Sequence, residues 1–184
     1  MSEELNRRDA MTGMALGACA VVGGGFALAG MKRAWDPLPS VKAAGTTTVD
    51  ISKAEENVLY TEKWRGKPVF ILKKSADMIA SSSSNDKKRD VIIGDSHFIV
   101  CVGLCTHLGC IPSYNKEPKD FLCACHGAVY DVAGINVSGP APLPMLIPAF
   151  KVDGNDLIIG EESPAYKAMV ANGVDGSKPL DYKA

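Results

Sequence analysis

The longest apolar stretch of the chain lies close to the N-terminus. Residues 10–31 form a run of 22 positions without a charged side chain. A helix rises about 1.5 Å per residue, so this run reaches roughly 33 Å, enough to cross the hydrocarbon core of a membrane, which is about 30 Å thick. Arg7 and Arg8 precede the run, and Lys32 and Arg33 follow it. The pattern predicts one transmembrane anchor over residues 10–31.

The arginine pair also indicates a route of export. A twin arginine before an apolar segment is typical of a Tat signal, which carries proteins across the membrane already folded. The match is incomplete, because Asp9 and Ala10 follow where such signals often have a large apolar residue. A cleaved secretory signal is the alternative, but its apolar region usually has about 7–15 residues. We expect an uncleaved anchor in a bacterial inner membrane, with residues 1–9 in the cytoplasm and the soluble part on the periplasmic side.

Shorter patterns predict the elements that follow the anchor. Residues 36–40 contain two prolines, which exclude a helix interior, so residues 32–45 are predicted to form a semi-rigid tether. Runs of β-branched and apolar residues then predict strands, and an Asp-Gly pair predicts a hairpin turn. The strand candidates are residues 46–51, 68–72, 91–93 and 98–102, and the hairpin covers 151–159. A serine-rich and charged segment, 81–90, is predicted to be a solvated loop, and 165–171 a short helix.

These elements predict a mainly β domain of antiparallel strands over residues 46–160, followed by a polar tail over 161–184. Residues 101–145 form an insertion rich in Cys, His and Pro. A length of 184 residues fits one such domain plus an appendage, not two large domains. The net charge of -1 gives no electrostatic reason to expect binding to nucleic acid or to an anionic membrane surface.

Two short segments of the insertion carry the candidate chemistry. They read CTHLGC over residues 105–110 and CACHG over 123–127, and together they hold four of the six cysteines and two of the three histidines. A tetrahedral zinc site of two cysteines and two histidines would leave two cysteines unexplained, and a disulfide scaffold would leave the histidines unexplained. A [2Fe–2S] centre with two cysteine and two histidine ligands, together with one disulfide, uses all of them, and that ligand set is the one found in Rieske centres.

The paired pattern resembles the Rieske iron–sulfur proteins of the cytochrome bc type, and the resemblance covers the anchor, the tether and both motif segments. It implies an antiparallel β-sandwich with an inserted cluster-binding subdomain, behind a single transmembrane helix. The implied cluster ligands are the thiolates of Cys105 and Cys123 on one iron and the imidazoles of His107 and His126 on the other. A disulfide between Cys110 and Cys125 is also implied, and it would tie the two segments together.

A proline-rich segment resembles the loop that covers the cluster in this family. It reads GPAPLP over residues 139–144. The expected covering positions are Leu108, Gly139, Pro140 and Pro142. Prolines restrict the loop, and a rigid cover excludes water near the metal. Cys101 precedes the first motif and is predicted to be a core thiol, not a ligand.

One position departs from the family pattern. High-potential members carry Ser-x-Tyr after the His-Gly pair, and both hydroxyl groups donate hydrogen bonds to sulfur atoms at the cluster. Here position 128 is Ala, whereas Tyr130 is present. A lost donor destabilises the more negative reduced state, so we expect a lower reduction potential. A bond worth about 1.5–3 kcal/mol corresponds to a decrease of roughly 60–130 mV, which suits menaquinol better than ubiquinol.

The activity that the resemblance implies is quinol oxidation by a larger membrane enzyme, of which this chain is one subunit and inactive alone. His126 is expected to contact the quinol and to accept its proton, while one electron passes through the cluster to a c-type cytochrome. The expected partners are cytochrome b and a cytochrome c1-type subunit in a dimeric complex. The tether is expected to let the domain move between them.

Two other classes of protein are compatible with the sequence. An exported molybdenum oxidase of the arsenite oxidase type also has a Rieske small subunit, although a fixed complex would not need a 14-residue tether. A non-redox zinc or disulfide interaction domain is the second class. Metal analysis distinguishes that second class from both redox proteins.

Overall fold

The computed structural model describes residues 6–36, 41 and 45–180. The chain divides into two units, residues 1–43 and residues 44–184. Half of the predicted tether, residues 37–40 and 42–44, lies outside the described residues, as do both ends of the chain. The semi-rigid character of the tether therefore stays a prediction.

Helix α1 spans Arg7–Trp35 and contains the whole predicted anchor. Its 29 residues give a length of about 43 Å, and it is long and apolar enough to cross a membrane. No residue of α1 is buried, and a helix that is apolar on all sides needs either a protein core or lipid around it. Lys32 and Arg33 lie in the last turn, where the helix dipole favours cations. The predicted apolar helix is confirmed as a candidate membrane span.

Every pairing between the strands of the second unit is antiparallel, as predicted. The strands are β1 (Thr47–Asp50), β2 (Leu59–Trp64), β3 (Lys67–Lys73), β4 (Val91–Ile93), β5 (Ser96–Val102), β6 (Ser113–Asn115), β7 (Asp120–Cys123), β8 (Ala128–Tyr130), β9 (Asn136–Ser138), β10 (Phe150–Asp153) and β11 (Asp156–Ile159). They form three sheets with the orders β1-β11-β10, β2-β3-β5-β4 and β6-β7-β8-β9. The helices are α2 (Ala76–Ser81), α3 (Ser84–Lys88) and α4 (Pro164–Ala171), the last being the predicted short helix.

Strand β3 separates two hydrophobic cores. Val69 and Ile71 belong to the core shared with β10 and β11, whereas Phe70 and Leu72 belong to the core shared with the third sheet. Side chains alternate between the two faces of a strand, so a strand covered on both faces is apolar at successive positions. Phe70 stacks on Phe121 of β7 with ring centroids 5.6 Å apart. This contact helps to attach the sheet β6–β9, which carries the inserted motifs, to the rest of the domain.

The hairpin turns follow the local chemistry of the chain. Strand β2, which the sequence pattern did not predict, joins β3 through Arg65 and Gly66, both with positive φ (48° and 77°). Positive φ at both central residues belongs to the turn that matches the twist of a two-residue hairpin. The predicted hairpin of β10 and β11 is confirmed, but its turn residues are Gly154 and Asn155, because Asp153 still pairs within the ladder.

The prediction of a solvated loop over residues 81–90 is wrong. The segment contains α3, which begins with a capping box in which Ser83 and Asp86 each accept a hydrogen bond from the other's backbone N–H. Arg89 and Asp90 are buried after the helix. Charged side chains enter a protein interior when partners there satisfy them, and both residues have such partners. The run of charges is therefore part of the packed domain.

Candidate functional site

Two loops beside the third sheet carry the paired motifs. The first follows β5, and the second joins β7 to β8. In the first, the Gly109 N–H donates to the Cys105 carbonyl at 2.8 Å, and in the second, the Gly127 N–H donates to the Cys123 carbonyl at 2.9 Å. Both glycines have positive φ, 82° and 72°. Each motif is therefore a tight turn that requires glycine at its end.

A disulfide between Cys110 and Cys125 links the two loops, with Cα atoms 6.6 Å apart. It joins positions separated by 15 residues, and closing a loop of that length stabilises a protein by about 3 kcal/mol. The sulfur atoms of Cys110, Cys123 and Cys125 lie within 4.8 Å of one another. Because two of the three are consumed by the disulfide, this group is not a set of metal ligands.

Cys105 and Cys123, the remaining cysteines of the motifs, are both buried, with 3% and 1% of their surface exposed. Burial raises the pKa of the Cys105 thiol, but hydrogen bonds from the Tyr130 hydroxyl and from backbone N–H groups outweigh it, so this pKa lies below its ordinary value. Burial also raises the pKa of Cys123, and there it prevails. A thiolate is the form of cysteine that binds metal, and the surroundings of Cys105 stabilise that form.

His107 and His126 face each other where the two loops meet. Their Nδ1 atoms are 3.3 Å apart, and their rings are nearly perpendicular at 89°. Two nitrogen ligands at about 2.0–2.1 Å from one tetrahedral ion are about 3.3 Å apart, so both Nδ1 atoms fit a single metal ion. His126 is exposed and His107 is partly exposed. Nε2 is the second nitrogen of each ring, and in His126 it belongs to an exposed residue.

A chain of hydrogen bonds runs from Cys105 to the proline-rich segment. The hydroxyl of the buried Tyr130 donates to Cys105 Sγ at 3.3 Å and accepts from the Thr106 N–H at 2.9 Å. Thr106 Oγ1 donates to the Leu143 carbonyl at 2.6 Å. Burial and the bond to Cys105 raise the pKa of Tyr130 to about 12, so the phenol keeps the proton that it donates. Thr106 was not singled out in the sequence, and only its place inside the first motif marks it.

The proline-rich segment also packs directly on the second motif. A Cβ at Gly139 would lie 2.6 Å from Ala128 Cα and 2.7 Å from the Gly127 carbonyl oxygen. Gly139 has a φ of 89°, so both the space and the backbone conformation require glycine. Ala128 is fully buried and pairs with Cys123 across β7 and β8. The position at which the sequence departs from the family pattern therefore lies beside a candidate ligand.

Exposed apolar side chains at residues 108 and 111 and in the proline-rich segment form a set that we call the apolar rim. Leu108 and Ile111 are 71% and 61% exposed, and Pro140 and Pro142 are exposed as well. Large exposed apolar side chains grouped near one site are characteristic of an interaction surface. The rim therefore exposes apolar side chains on the segments that carry the first motif and contact the second.

The sequence model of the Rieske [2Fe–2S] domain family matches residues 48–151 of the chain. The chain belongs to the Rieske family. An iron–sulfur subunit of ubiquinol–cytochrome c reductase from Rickettsia prowazekii is 33% identical over 159 residues, which cover 81% of this Rieske protein and 89% of the relative. The Rieske subunit of the mitochondrial cytochrome b-c1 complex of Schizosaccharomyces pombe is 35% identical over 155 residues, covering 79% and 67% of the two chains.

A solved structure titled as a hyperthermophilic respiratory Complex III contains a similar chain. Its TM-score is 0.57 and its identity 32%, and the match covers 79% of this Rieske protein and 98% of that chain. The predicted resemblance to Rieske proteins of the cytochrome bc type is confirmed, as is the antiparallel β fold. The predicted [2Fe–2S] cofactor is confirmed at the level of the family.

The side chains of this Rieske protein fit such a cluster. The motifs bring together two buried thiols and two imidazoles whose Nδ1 atoms converge, which is the donor set of a Rieske centre. The Tyr130 hydroxyl is aimed at one of the thiol sulfurs. Cys101 is fully buried, and burial raises its pKa to about 12, so it is the predicted core thiol and not a ligand.

Proposed function

We propose that this Rieske protein is the electron-transfer subunit of a quinol–cytochrome c oxidoreductase, and that Cys105, Cys123, His107 and His126 hold its [2Fe–2S] cluster. The observation that carries the proposal is the convergence of two histidine Nδ1 atoms between two exposed loops that also carry two buried thiols. The relatives support it, since this chain spans 89% of the Rickettsia prowazekii subunit and 82% of a second one from Allochromatium vinosum.

The chain's own groups divide the work at this site. A bound [2Fe–2S] cluster supplies one-electron redox chemistry. The buried thiols of Cys105 and Cys123 keep one side of the site away from water, and Tyr130 donates a hydrogen bond to the Cys105 sulfur. The two histidines hold the side that a partner can reach. Solvent exclusion and hydrogen bonds to the sulfurs are the means by which a protein tunes such a site.

His126 is proposed to contact the quinol and to accept its proton. Its ring is exposed, and Nε2 is free to accept a hydrogen bond from a quinol hydroxyl when Nδ1 is occupied by the metal. The proton of the quinol hydroxyl would move to His126 Nε2, and the cluster that Cys105, Cys123, His107 and His126 would hold would supply the acceptor for the accompanying electron. Reduction of a bound cluster would remove positive charge next to the imidazole and so favour the protonated form of the imidazole.

The apolar rim suits a docking surface for cytochrome b. Leu108 and Ile111 expose most of their side chains, and the proline-rich loop is joined to the same motif through the bond from Thr106 to the Leu143 carbonyl. Burying such side chains against a partner excludes water from the quinol, and each fully buried side chain contributes about 1.5–3 kcal/mol. A complex that assembles and separates at each turnover requires a small apolar contact of this kind, not an extensive one.

The proposed location is a bacterial inner membrane, with α1 as the single anchor and the domain on the periplasmic side. The disulfide Cys110–Cys125 supports this orientation, because disulfides persist in oxidising compartments. The predicted tether over residues 32–45 would let the domain carry its electron from cytochrome b to a cytochrome c1-type subunit. A dimeric complex is proposed with these partners.

A low-potential quinol such as menaquinol is the proposed substrate. Position 128 lacks a hydroxyl, and its buried place beside Cys123 makes it a position from which a hydroxyl would act on the site. One donor fewer lowers the potential by roughly 60–130 mV. An acceptor of lower potential matches a donor of lower potential, which favours menaquinol over ubiquinol.

Histidine variants of the full chain, expressed with its membrane partners, test this function. His107→Gln and His126→Gln should abolish the rhombic EPR signal of the mixed-ligand cluster and the quinol-dependent reduction of cytochrome c. His97→Gln is the matched control, because His97 lies on β5 and its Nδ1 pairs with Asp90 instead. Retention of the signal in both motif variants, or zinc in place of iron, would refute the assignment. Copurification with a molybdenum subunit, and not with cytochrome b, would indicate an exported molybdenum oxidase.

A further inference from the structure

Arg89 is a fully buried cation outside the motifs, at the end of α3. Its guanidinium group donates to three backbone carbonyl oxygens. Nε donates to Ala133 at 2.8 Å, Nη2 donates to Met145 at 2.6 Å, and Nη1 donates to Val174. The planar, rigid fork of a guanidinium fixes the relative positions of the groups that it binds.

The three carbonyls belong to three separate segments around the site. Ala133 lies in the turn that follows Tyr130, Met145 directly follows the proline-rich segment, and Val174 follows α4 in the C-terminal segment. Further backbone bonds join the same segments, since the Met145 N–H donates to the Gly134 carbonyl at 2.8 Å. The Arg89 side chain therefore lies where three segments meet. They are the turn after Tyr130, the end of the proline-rich segment and the C-terminal segment after α4.

The charges around Arg89 explain how it is tolerated in the interior. Burial lowers its pKa, and the negative charges that Cys101, Asp131, Asp175 and Asp86 carry when they are ionised counteract this effect. Among the described residues, its hydrogen bonds nevertheless go to carbonyl oxygens and not to these carboxylates. The carboxylates balance the charge, while the directional bonds hold the backbone.

Both ends of the hydrogen-bond chain at Cys105 are attached to the segments that Arg89 holds. At one end, Tyr130 donates to Cys105 Sγ and is separated from Ala133 by two residues. At the other end, the Leu143 carbonyl accepts from Thr106 and is separated from Met145 by one residue. A displacement of either segment changes the alignment of the hydroxyl with the sulfur, and a hydrogen bond weakens steeply with misalignment.

We propose that Arg89 is a positioning residue for the cluster site, which fixes the Tyr130 strand and the proline-rich loop against the C-terminal segment and thereby tunes the reduction potential. This assigns a role to the segment after α4, which closes the Arg89 site through the Val174 carbonyl. The proposal goes beyond the proposed function, because it concerns the ligand environment and holds for any electron donor.

The first test compares Arg89→Lys with Ile159→Ala in the full-length, cluster-loaded protein. Lysine keeps the charge but cannot hold three carbonyls in one plane. Ile159 is fully buried in the other core, so its truncation lowers stability without touching the motif loops. Both variants should unfold at a lower temperature. Only Arg89→Lys should shift the equilibrium of reduction at a fixed potential, by at least threefold, or about 28 mV, with a changed EPR line shape.

The proposal rests on the proposed cluster ligands. The measurement uses a chemical reductant and mediators, so it does not depend on any quinol, and failure of the proposed quinol oxidation would leave its result unchanged. An Arg89→Lys variant that is less stable but has the wild-type midpoint and EPR spectrum would refute the positioning role. An equal shift in Ile159→Ala would refute it as well, because the potential would then follow overall stability.

Hydrogen exchange of the unmodified protein covers the case in which Arg89→Lys does not fold. The N–H of Thr106 donates to the Tyr130 hydroxyl, that of Met145 to the Gly134 carbonyl and that of Ile147 to the Asp175 carbonyl. If Arg89 holds the three segments together, these three N–H groups should exchange through one common opening. Their protection factors should agree within threefold. Differences of tenfold or more would show that the segments open independently and would overturn the proposal.

Discussion

A hydroxyl group at position 128 should raise the reduction potential of this Rieske protein. Ala128 is fully buried and is directly opposite Cys123 in the ladder of β7 and β8. Directly opposed residues of an antiparallel pair project to the same face of the sheet. Ala128→Ser would therefore place Oγ on the face that carries the Cys123 side chain. The substitution adds a single oxygen atom, which is the smallest change that supplies a donor.

The size of the expected effect follows from the charge of the acceptor. A hydrogen bond to a charged group contributes about 1.5–3 kcal/mol. If the bond forms mainly in the more negative reduced state, the midpoint potential rises by about 60–130 mV for one electron. A buried hydroxyl without a partner would instead cost about 1–3 kcal/mol of folding free energy. The thermal unfolding temperature therefore reports independently whether the hydroxyl is bonded.

An EPR-monitored redox titration of the full-length variant measures the shift. Val100→Thr is the matched control. Val100 lies on β5 in the core shared with β10 and β11, so this variant buries a hydroxyl in the core that does not contain Cys123. The control should lower the unfolding temperature and leave the midpoint unchanged. An Ala128→Ser variant with wild-type stability and a wild-type midpoint would contain a bonded hydroxyl that does not tune the site. That outcome would refute the inference from position 128, and with it the argument for menaquinol.

Three further outcomes are expected. Tyr130→Phe removes the donor to Cys105 Sγ and should lower the midpoint by about 60–130 mV in the same titration, whereas an unchanged midpoint would show that the 3.3 Å contact has no effect. Gly139→Ala should cost at least about 2 kcal/mol of unfolding free energy, because its Cβ meets backbone, whereas Gly154→Ala, with open space and a similar positive φ, should cost less in the same assay. Burial raises the pKa of Asp131 to about 7, so the folded state holds a proton that the unfolded chain releases above about pH 4. The resulting stability is present at low pH and is lost as pH rises to 7, by at most about 1.4 kcal/mol per pH unit, and Asp131→Asn should remove this slope from unfolding curves between pH 5 and 7.

The predictable parts of this protein are those in which sequence neighbours act together. The apolar run within α1 is long enough to indicate a membrane-spanning helix. The consecutive apolar residues of β3 are typical of a strand that is buried on both faces. The two motifs are also local, since each is a turn closed by its own glycine. The sequence therefore predicted the antiparallel β fold and the cofactor class, and the four cluster ligands that it indicated stay a proposal.

The unpredicted parts depend on partners far apart in the chain. Arg89 binds carbonyls 44, 56 and 85 positions away, and a backbone carbonyl has no sequence signature. Its segment, with serines and mixed charges, has the composition of a solvated loop, and only the tertiary structure supplies the partners that allow burial. Thr106 was missed for the same reason, because its acceptor is the Leu143 carbonyl, 37 positions away.

A site that is built on loops is not held by the hydrogen bonds between strands, so other contacts must make it rigid. Four sets of contacts do so here. The disulfide fixes the two loops to each other, and the Gly139 contact seats the proline-rich segment on the second loop. The chain from Tyr130 through Thr106 fixes the same segment to the first loop. Arg89 donates hydrogen bonds to the carbonyl of Ala133, in the turn after Tyr130, and to that of Met145, at the end of the proline-rich segment. Because metal sites lose affinity and change potential when their supporting groups shift, we expect each of these four contacts to affect the reduction potential of the site without contacting a quinol.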